Sequence, residues 1–184
     1  MKKLILLLLF IPLVSFGQDF RKMNFGDSKK KLYQIYPDVE FDIEYSGLIE
    51  FFSHFDYIAG IKTRISYVFL DNELSAGMYM FSENNNRKGG DERLRDFKTV
   101  SDRLNIKYDM ENIDEWHKTT WKDVPNWHGY ALSNGEVSFG ERYENERFTI
   151  FHSLEYISGY ISHNVVYGSS KFNKWQQEEL NNQF

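Results

Sequence analysis

Residues Arg147 to Gly168 read RFTIFHSLEYISGYISHNVVYG, and the interpretation of this stretch decides the fold. Apolar and polar residues alternate on both sides of Ser158-Gly159, the signature of a β-hairpin. A two-residue turn there sets Tyr156 opposite Ile161, Leu154 opposite His163 and His152 opposite Val165. Because side chains alternate along a strand, these six share one face. The other face carries Phe151, Ser153, Glu155, Ile157, Tyr160, Ser162 and Asn164. The first set is more apolar and bears no formal charge at neutral pH, so it is assigned to the core. A slip of one residue would exchange the two faces.

Two histidines on a core face raise the possibility of a metal site. Diagonal neighbours across a sheet lie roughly 7–8 Å apart, close enough for His152 and His163 to converge on one ion. No third ligand stands at a fixed spacing, however. The expectation is therefore two partly buried rings hydrogen-bonded to backbone or to each other, with no metal and no cofactor.

Working outward, WHGYALSNGEVSFGER (127–142) contains Asn134-Gly135, the strongest short-range hairpin signal. A hairpin there pairs Leu132 with Val137, Tyr130 with Phe139 and His128 with Glu141. A further hairpin is read in KTRISYVFLDNELSAGMYMFSE (62–83). Its turn at Asp71-Asn72 pairs Phe69 with Leu74, Tyr67 with Ala76 and Ile65 with Met78. Residues 39–60 alternate loosely, as one or two strands do.

Three helices are expected. Asp27 or Ser28 caps a short one carrying Leu32, Ile35 and Tyr36, which Pro37 stops. After the polar loop Asn84–Asp91, a longer helix spans 92–108, with Leu94, Phe97, Val100, Ser101, Leu104 and Tyr108 in one stripe. A last helix starts at Ser170 with Phe172 and Trp175 facing inward. The fold class is thus α+β, with an antiparallel sheet of about six to eight strands and the helices on one face. Glu73-Leu74-Ser75-Ala76-Gly77 and Glu136-Val137-Ser138-Phe139-Gly140 each follow a predicted turn. A degenerate duplication of a helix-plus-meander unit (about 25–83 and 91–168) would explain the echo, and so would coincidence.

The chain opens MKK, then LILLLLFIPLV, then Ser15-Phe16-Gly17. This pattern reads as a secretory signal, residues 1–17, cut between Gly17 and Gln18; the apolar run is too short to span a bilayer. Residues 18–184 form one domain, with no membrane span after cleavage. Losing Lys2 and Lys3 leaves 20 basic against 27 acidic side chains, a net charge of −7, which disfavours nucleic acid as a partner. Cysteine is absent, so packing of the 16 Phe and 12 Tyr residues replaces disulfides outside the cytoplasm.

Phe25-Gly26-Asp27-Ser28-Lys29-Lys30-Lys31-Leu32 resembles the Phe-Gly-x-Ser start of many uncharacterised secreted bacterial proteins. Tyr67-x-Phe69, Leu74, Gly77-x-Tyr79-x-Phe81 is similar to the hairpin that follows in them. Ser15-Phe16-Gly17-Gln18 looks like signal ends of the Bacteroidetes. A short helix leading into a meander also resembles the architecture of β-lactamase-inhibitor protein and outer-membrane-assembly lipoprotein E. The resemblance implies a fold and an exported location, and brings no catalytic residues with it.

Residues 109–126 show no periodicity, yet Trp116, Trp121 and Trp127 lie in or beside them. Exposed tryptophans stack on sugar faces or enter partner pockets. The plainer reading is a loop pinned to the sheet by its own aromatics, because Trp is highly buried on average. His128 facing Glu141, with His117 near, would be an acid–base pair or a simple cross-strand ion pair. His54 and Asp56 share a strand face as a surface pair. No G-x-S-x-G, P-loop, H-E-x-x-H or dinucleotide glycine pattern occurs. The expectation is a secreted or periplasmic noncatalytic binding protein for a protein partner or glycan. The ligand-binding candidates are Trp116, Trp121, Trp127, His128 and Glu141. The alternatives are a hydrolase or metal-dependent enzyme built from scattered His, Asp and Glu, and a structural component of an envelope assembly.

Overall fold

The computed structural model describes residues 19–81 and 89–182. The expected signal (1–17) with residue 18, most of the Asn84–Asp91 loop and the last two residues lie outside the described residues. The chain runs α1 (Lys29–Ile35), β1 (Asp42–Ser46), β2 (Ile49–Ile58), β3 (Ile61–Leu70) and β4 (Glu73–Met80), then α2 (Gly90–Asn105). Two short strands follow, β5 (Glu111–Asn112) and β6 (Glu115–Trp116), then α3 (His128–Ser133), β7 (Val137–Glu144), β8 (Phe148–Ile157), β9 (Tyr160–Ser169) and α4 (Ser170–Asn182). All strand pairs are antiparallel, in the order β1-β2-β3-β4-β9-β8-β7-β5, with β6 also on β7. The last strands of the two meanders, β4 and β9, pair at the middle of the sheet.

The β8–β9 hairpin has the expected register: His152 opposite Val165, Leu154 opposite His163, Tyr156 opposite Ile161. Ser158 and Gly159 both have positive φ, +48° and +99°, as a twist-matched two-residue turn requires. His152, Leu154, His163 and Val165 are fully buried, while Tyr156 near the turn is open to solvent.

The β3–β4 hairpin turns at Asp71-Asn72 and pairs Phe69 with Leu74 as expected, but its next pairs are corrected by one residue. A bulge sets Val68, not Tyr67, opposite Ala76, and Ile65 opposite Tyr79 rather than Met78. The bulge falls where residues 26 and 27 engage the strand start: Gly26 N–H donates to Leu74 O and Leu74 N–H to Asp27 O. Ala76 and Met78 therefore join Val68 on one face, and Gly77 comes to lie opposite Tyr67 on the other.

The hairpin at Asn134-Gly135 is also corrected. Residues 128–133 form helix α3, and β7 pairs with β8 instead, Phe139 opposite Leu154 and Glu141 opposite His152. Gly135 N–H bonds Leu132 O and Glu136 N–H bonds Ala131 O, with Gly135 at φ +66°. This is a Schellman helix stop. A left-handed glycine serves both structures; the adjacent burial of Ala131 and Leu132, impossible on one side of a strand, selects the helix.

On one face of the sheet the largest core joins Leu32 of α1, Phe52, Ile65, Tyr67 and Phe69 of β2 and β3, Val100 and Leu104 of α2, and Ile150, Val165 and Tyr167 of β8 and β9. A neighbouring core joins Leu94 and Phe97 of α2 with Ala131 and Leu132 of α3 and with Val137, Phe139 and Leu154. Phe172 of α4 instead packs on Val68 and Ala76, the alternate residues of the same strands. The expectation of helices on one face thus fails for α4. Leaving β9 with no intervening loop, α4 turns over the far side, where Val68, Ala76 and Val166 offer it an apolar strip. Among the described residues no helix is long and apolar enough to cross a membrane.

Candidate functional site

Short strands β5 and β6 lie along β7 and carry the 109–126 segment over its outer edge. Glu111 pairs with Arg142 and Asn112 with Glu141, then Glu115 with Ser138 and Trp116 with Val137. Asp114 holds the offset between them, its Oδ1 accepting the Gly140 N–H at 3.0 Å. Its backbone N–H and Oδ2 engage the Asn112 side chain. The result is a cleft of about 420 Å³ between α2, β7, this segment and α3. Phe97, Trp116, His128 and Phe139 give it aromatic walls, and Lys98, Ser101, Asn112, Asp114, Asp123 and Glu141 give it polar groups.

Three of the five candidates therefore meet in one cleft: Trp116, His128 and Glu141. The Trp116 ring stands edge-on to His128 at 5.0 Å and to Phe139 at 6.1 Å. His128 Nε2 lies 3.0 Å from Lys122 O. A carbonyl can only accept, so Nε2 donates to it. Trp121 and Trp127 lie outside the lining. Their rings stack at 4.7 Å and 14°, with Tyr130 edge-on to both. Trp121 is half-buried on the α2–α3 core, whereas Trp127 and Tyr130 are 46% and 52% exposed. The segment is thus both pinned by aromatics and open on its outer side.

His128 and Glu141 do not pair across strands, because His128 sits on α3. Glu141 turns inward to a hydrogen-bonded row beneath α2. Ser101 Oγ donates to its Oε1 at 2.5 Å, and His152 Nδ1 lies 2.9 Å from its Oε2. His152 Nε2 lies 2.9 Å from His163 Nε2, so the two rings bond each other. Phe97 stacks on His152 at 4.0 Å and Phe81 on His163 at 4.4 Å. Burial drives the His152 pKa down, against the opposing pull of Glu141. Burial alone would raise Glu141, but the hydrogen bonds from His152 and Ser101 hold it below the usual carboxylate range. At neutral pH the row is thus an ionised Glu141, a neutral His152 with its hydrogen on Nδ1, and His163 donating from Nε2. Both Glu141 oxygens already accept hydrogen bonds, so the group is tied rather than poised to take a proton.

The other candidates are elsewhere. His117 lies 3.6 Å from Glu115 on the surface. Asp56 pairs with Arg21 at 2.9 Å, and His54 leans on the Tyr67 ring at 6.1 Å, so each takes its main partner elsewhere. Among the described residues no three His, Cys, Asp or Glu side chains come together to hold a metal ion. Phe97 and Ser101 were legible on the inward stripe of the helix. Asn112, Asp114 and Asp123 were not, since an aperiodic segment gives no face to assign. The chain matches no protein-family model, no curated protein and no solved structure.

Proposed function

We propose that this is an exported, noncatalytic binding protein whose ligand site is the cleft between α2, β7 and the 109–126 segment, and that the ligand is a glycan. One observation carries the reading: flat rings of Trp116, His128 and Phe139 stand beside Asn112, Asp114 and Asp123. Sugar recognition needs that combination, an aromatic platform for the C–H face of a ring and fixed acceptors for its hydroxyls. The engagement of both Glu141 oxygens supports binding over hydrolysis. A protein partner is the second reading, favoured by the exposed Trp127 and Tyr130 beside the cleft. Residues 1–17 support export, and the strand order mirrored about β4 and β9 supports a duplicated helix-plus-meander unit.

Titration with a panel of neutral and acidic oligosaccharides, followed by tryptophan fluorescence, tests the proposal. At least one should quench in a saturable manner, and Trp116→Ala should abolish the response while the protein keeps its melting temperature within a few degrees. Silence across the panel, with capture of a protein partner that Trp127→Ala abolishes, would favour the second reading. Sequencing of the exported protein should begin at Gln18.

A further inference from the structure

Helix α2 separates the cleft from a second cavity of about 330 Å³ that none of the sequence motifs marked. The helix turns Lys98 and Ser101 toward the first and Val100, Arg103 and Leu104 toward the second, with Lys107 following just past its end. Phe20, Tyr79, Phe81, Val165 and Tyr167 make the rest of the wall largely aromatic and apolar, and Arg21 completes it near the β2–β3 turn.

The charges on this wall are one-sided. Asp19 is the only carboxylate lining it among the described residues, and it is already engaged. Arg147 donates to both of its oxygens at 2.8 and 3.1 Å, and Phe25 N–H to Oδ2 at 3.0 Å. Arg21 gives Nη2 to Asp56, but its Nη1, shielded from solvent, has no acceptor. Among the described residues neither Arg103, in the last turn of α2, nor Lys107, just past its end, has a carboxylate within ion-pair distance; the Lys107 ammonium lies 4.9 Å from the Tyr108 ring centre. On a chain with a net charge of −5, a largely apolar cavity with two cations lacking an ion partner, Arg103 and Lys107, beside the Asp56-paired Arg21 is a local inversion. Burial pushes the Tyr79 phenol up to about 12, so its hydroxyl stays neutral and able to donate.

We infer that this cavity binds a single-chain amphiphile with a carboxylate head, its apolar body lying on Ile58, Tyr79, Leu104 and Tyr108 and its head held by Arg21, Arg103 and Lys107. A small inorganic anion would leave the partly exposed Ile58, Tyr79 and Tyr108 of the wall uncovered, whereas an apolar tail covers them. The missing counter-charge at Arg103 and Lys107 disfavours a neutral or cationic chain. The volume is that of an ordinary small-ligand pocket.

Isothermal titration of the folded protein with sodium dodecanoate below its micellar concentration tests this, with dodecanol and dodecyltrimethylammonium as comparators. Dodecanoate should bind once per chain and shift the amide resonances of Tyr79 and Phe81. Arg103→Gln with Lys107→Gln removes two exposed charges without touching the core, and should weaken dodecanoate by roughly tenfold while dodecanol is unaffected. Val100→Phe, checked for folding by its melting temperature, should exclude both. Trp116→Ala should change neither, which separates this cavity from the proposed glycan cleft. Equal affinity for dodecyltrimethylammonium, wild-type affinity in the double variant, or no saturable dodecanoate binding would each overturn the inference.

Discussion

At the scale of single residues, His152 has no accessible surface and Glu141 little, and their pKa directions make stability depend on pH. Burial lowers the His152 pKa in the folded protein, as it does that of His54, whereas the unfolded chain takes up those protons near pH 6.5. Their contribution is therefore complete above about pH 6.5 and is lost as the pH falls through that value toward the folded pKa. Glu141, held down by His152 and Ser101 against its own burial, adds a second loss as the pH falls through its depressed value. Urea midpoints measured from pH 8 to 4 should be flat above about pH 7 and fall steadily below it. His152→Gln should flatten the upper part of that fall; a midpoint that rises on acidification from pH 7 to 5.5 would contradict the assignment. Gly77 is a second residue-scale case. A Cβ there would lie 2.2 Å from Phe20 Cγ, and that ring is boxed in by Tyr67, Tyr79 and Tyr167 at 5.0–5.6 Å. Gly77→Ala should cost about 1–3 kcal/mol in urea unfolding, and with Phe20→Ala the pair should cost less than the sum of the singles. The alternation showed which strand residues face inward, but a one-residue bulge gave Gly77 this neighbour, and no residue in the pattern marks a bulge.

At the scale of elements, β8 and β9 were legible because one face is core and the other is not, which penalises every slip of register. Helix α3 was misread because Asn134-Gly135 satisfies a hairpin turn and a helix stop equally well. What decides between them is tertiary: Gly129 lets α3 meet the start of α2. A Cβ on Gly129 would stand 2.5 Å from the Asp91 backbone nitrogen, and one on Gly90 would stand 1.9 Å from Gly129 O. On a strand, Gly129→Ala would be neutral or helpful. In the observed packing it should destabilise by about 1–3 kcal/mol and shift the amide resonances of residues 89–94. Improved stability with those resonances unmoved would restore the hairpin. The cleft shares this origin: Asn112 and Trp116 sit on two-residue strands, with Asp114 between them, whose positions follow from pairing with β7, not from any pattern of their own.

At the scale of the whole molecule, the sheet could be two meanders resting edge to edge or one cooperative body, and the β4–β9 seam distinguishes them. The largest core takes side chains from α1, β2 and β3 together with α2, β8 and β9, and so crosses the seam. The Asp19–Arg147 pair and the contact of Lys171 with Asp71 and Glu73 also join residues of opposite halves. Central strands hydrogen-bond on both sides, and β3 is buried along nearly its whole length, whereas β1 is exposed throughout and pairs on one side only. Local opening free energy should follow this gradient, since it depends on buried contacts and protected hydrogen bonds. Native-state hydrogen exchange should find the slowest amides in β3, β4, β9 and β8 at one shared, global free energy. Those of β1 and β5 should exchange at least about a hundredfold faster, because an edge frays without breaking the core. If β4 and β9 instead opened together below the global value while β2–β3 and β7–β8 stayed protected, the seam would be the weakest line. The halves would then be two folding units, and α2, which walls both cavities and packs across the junction, would be a hinge between them rather than a fixed partition.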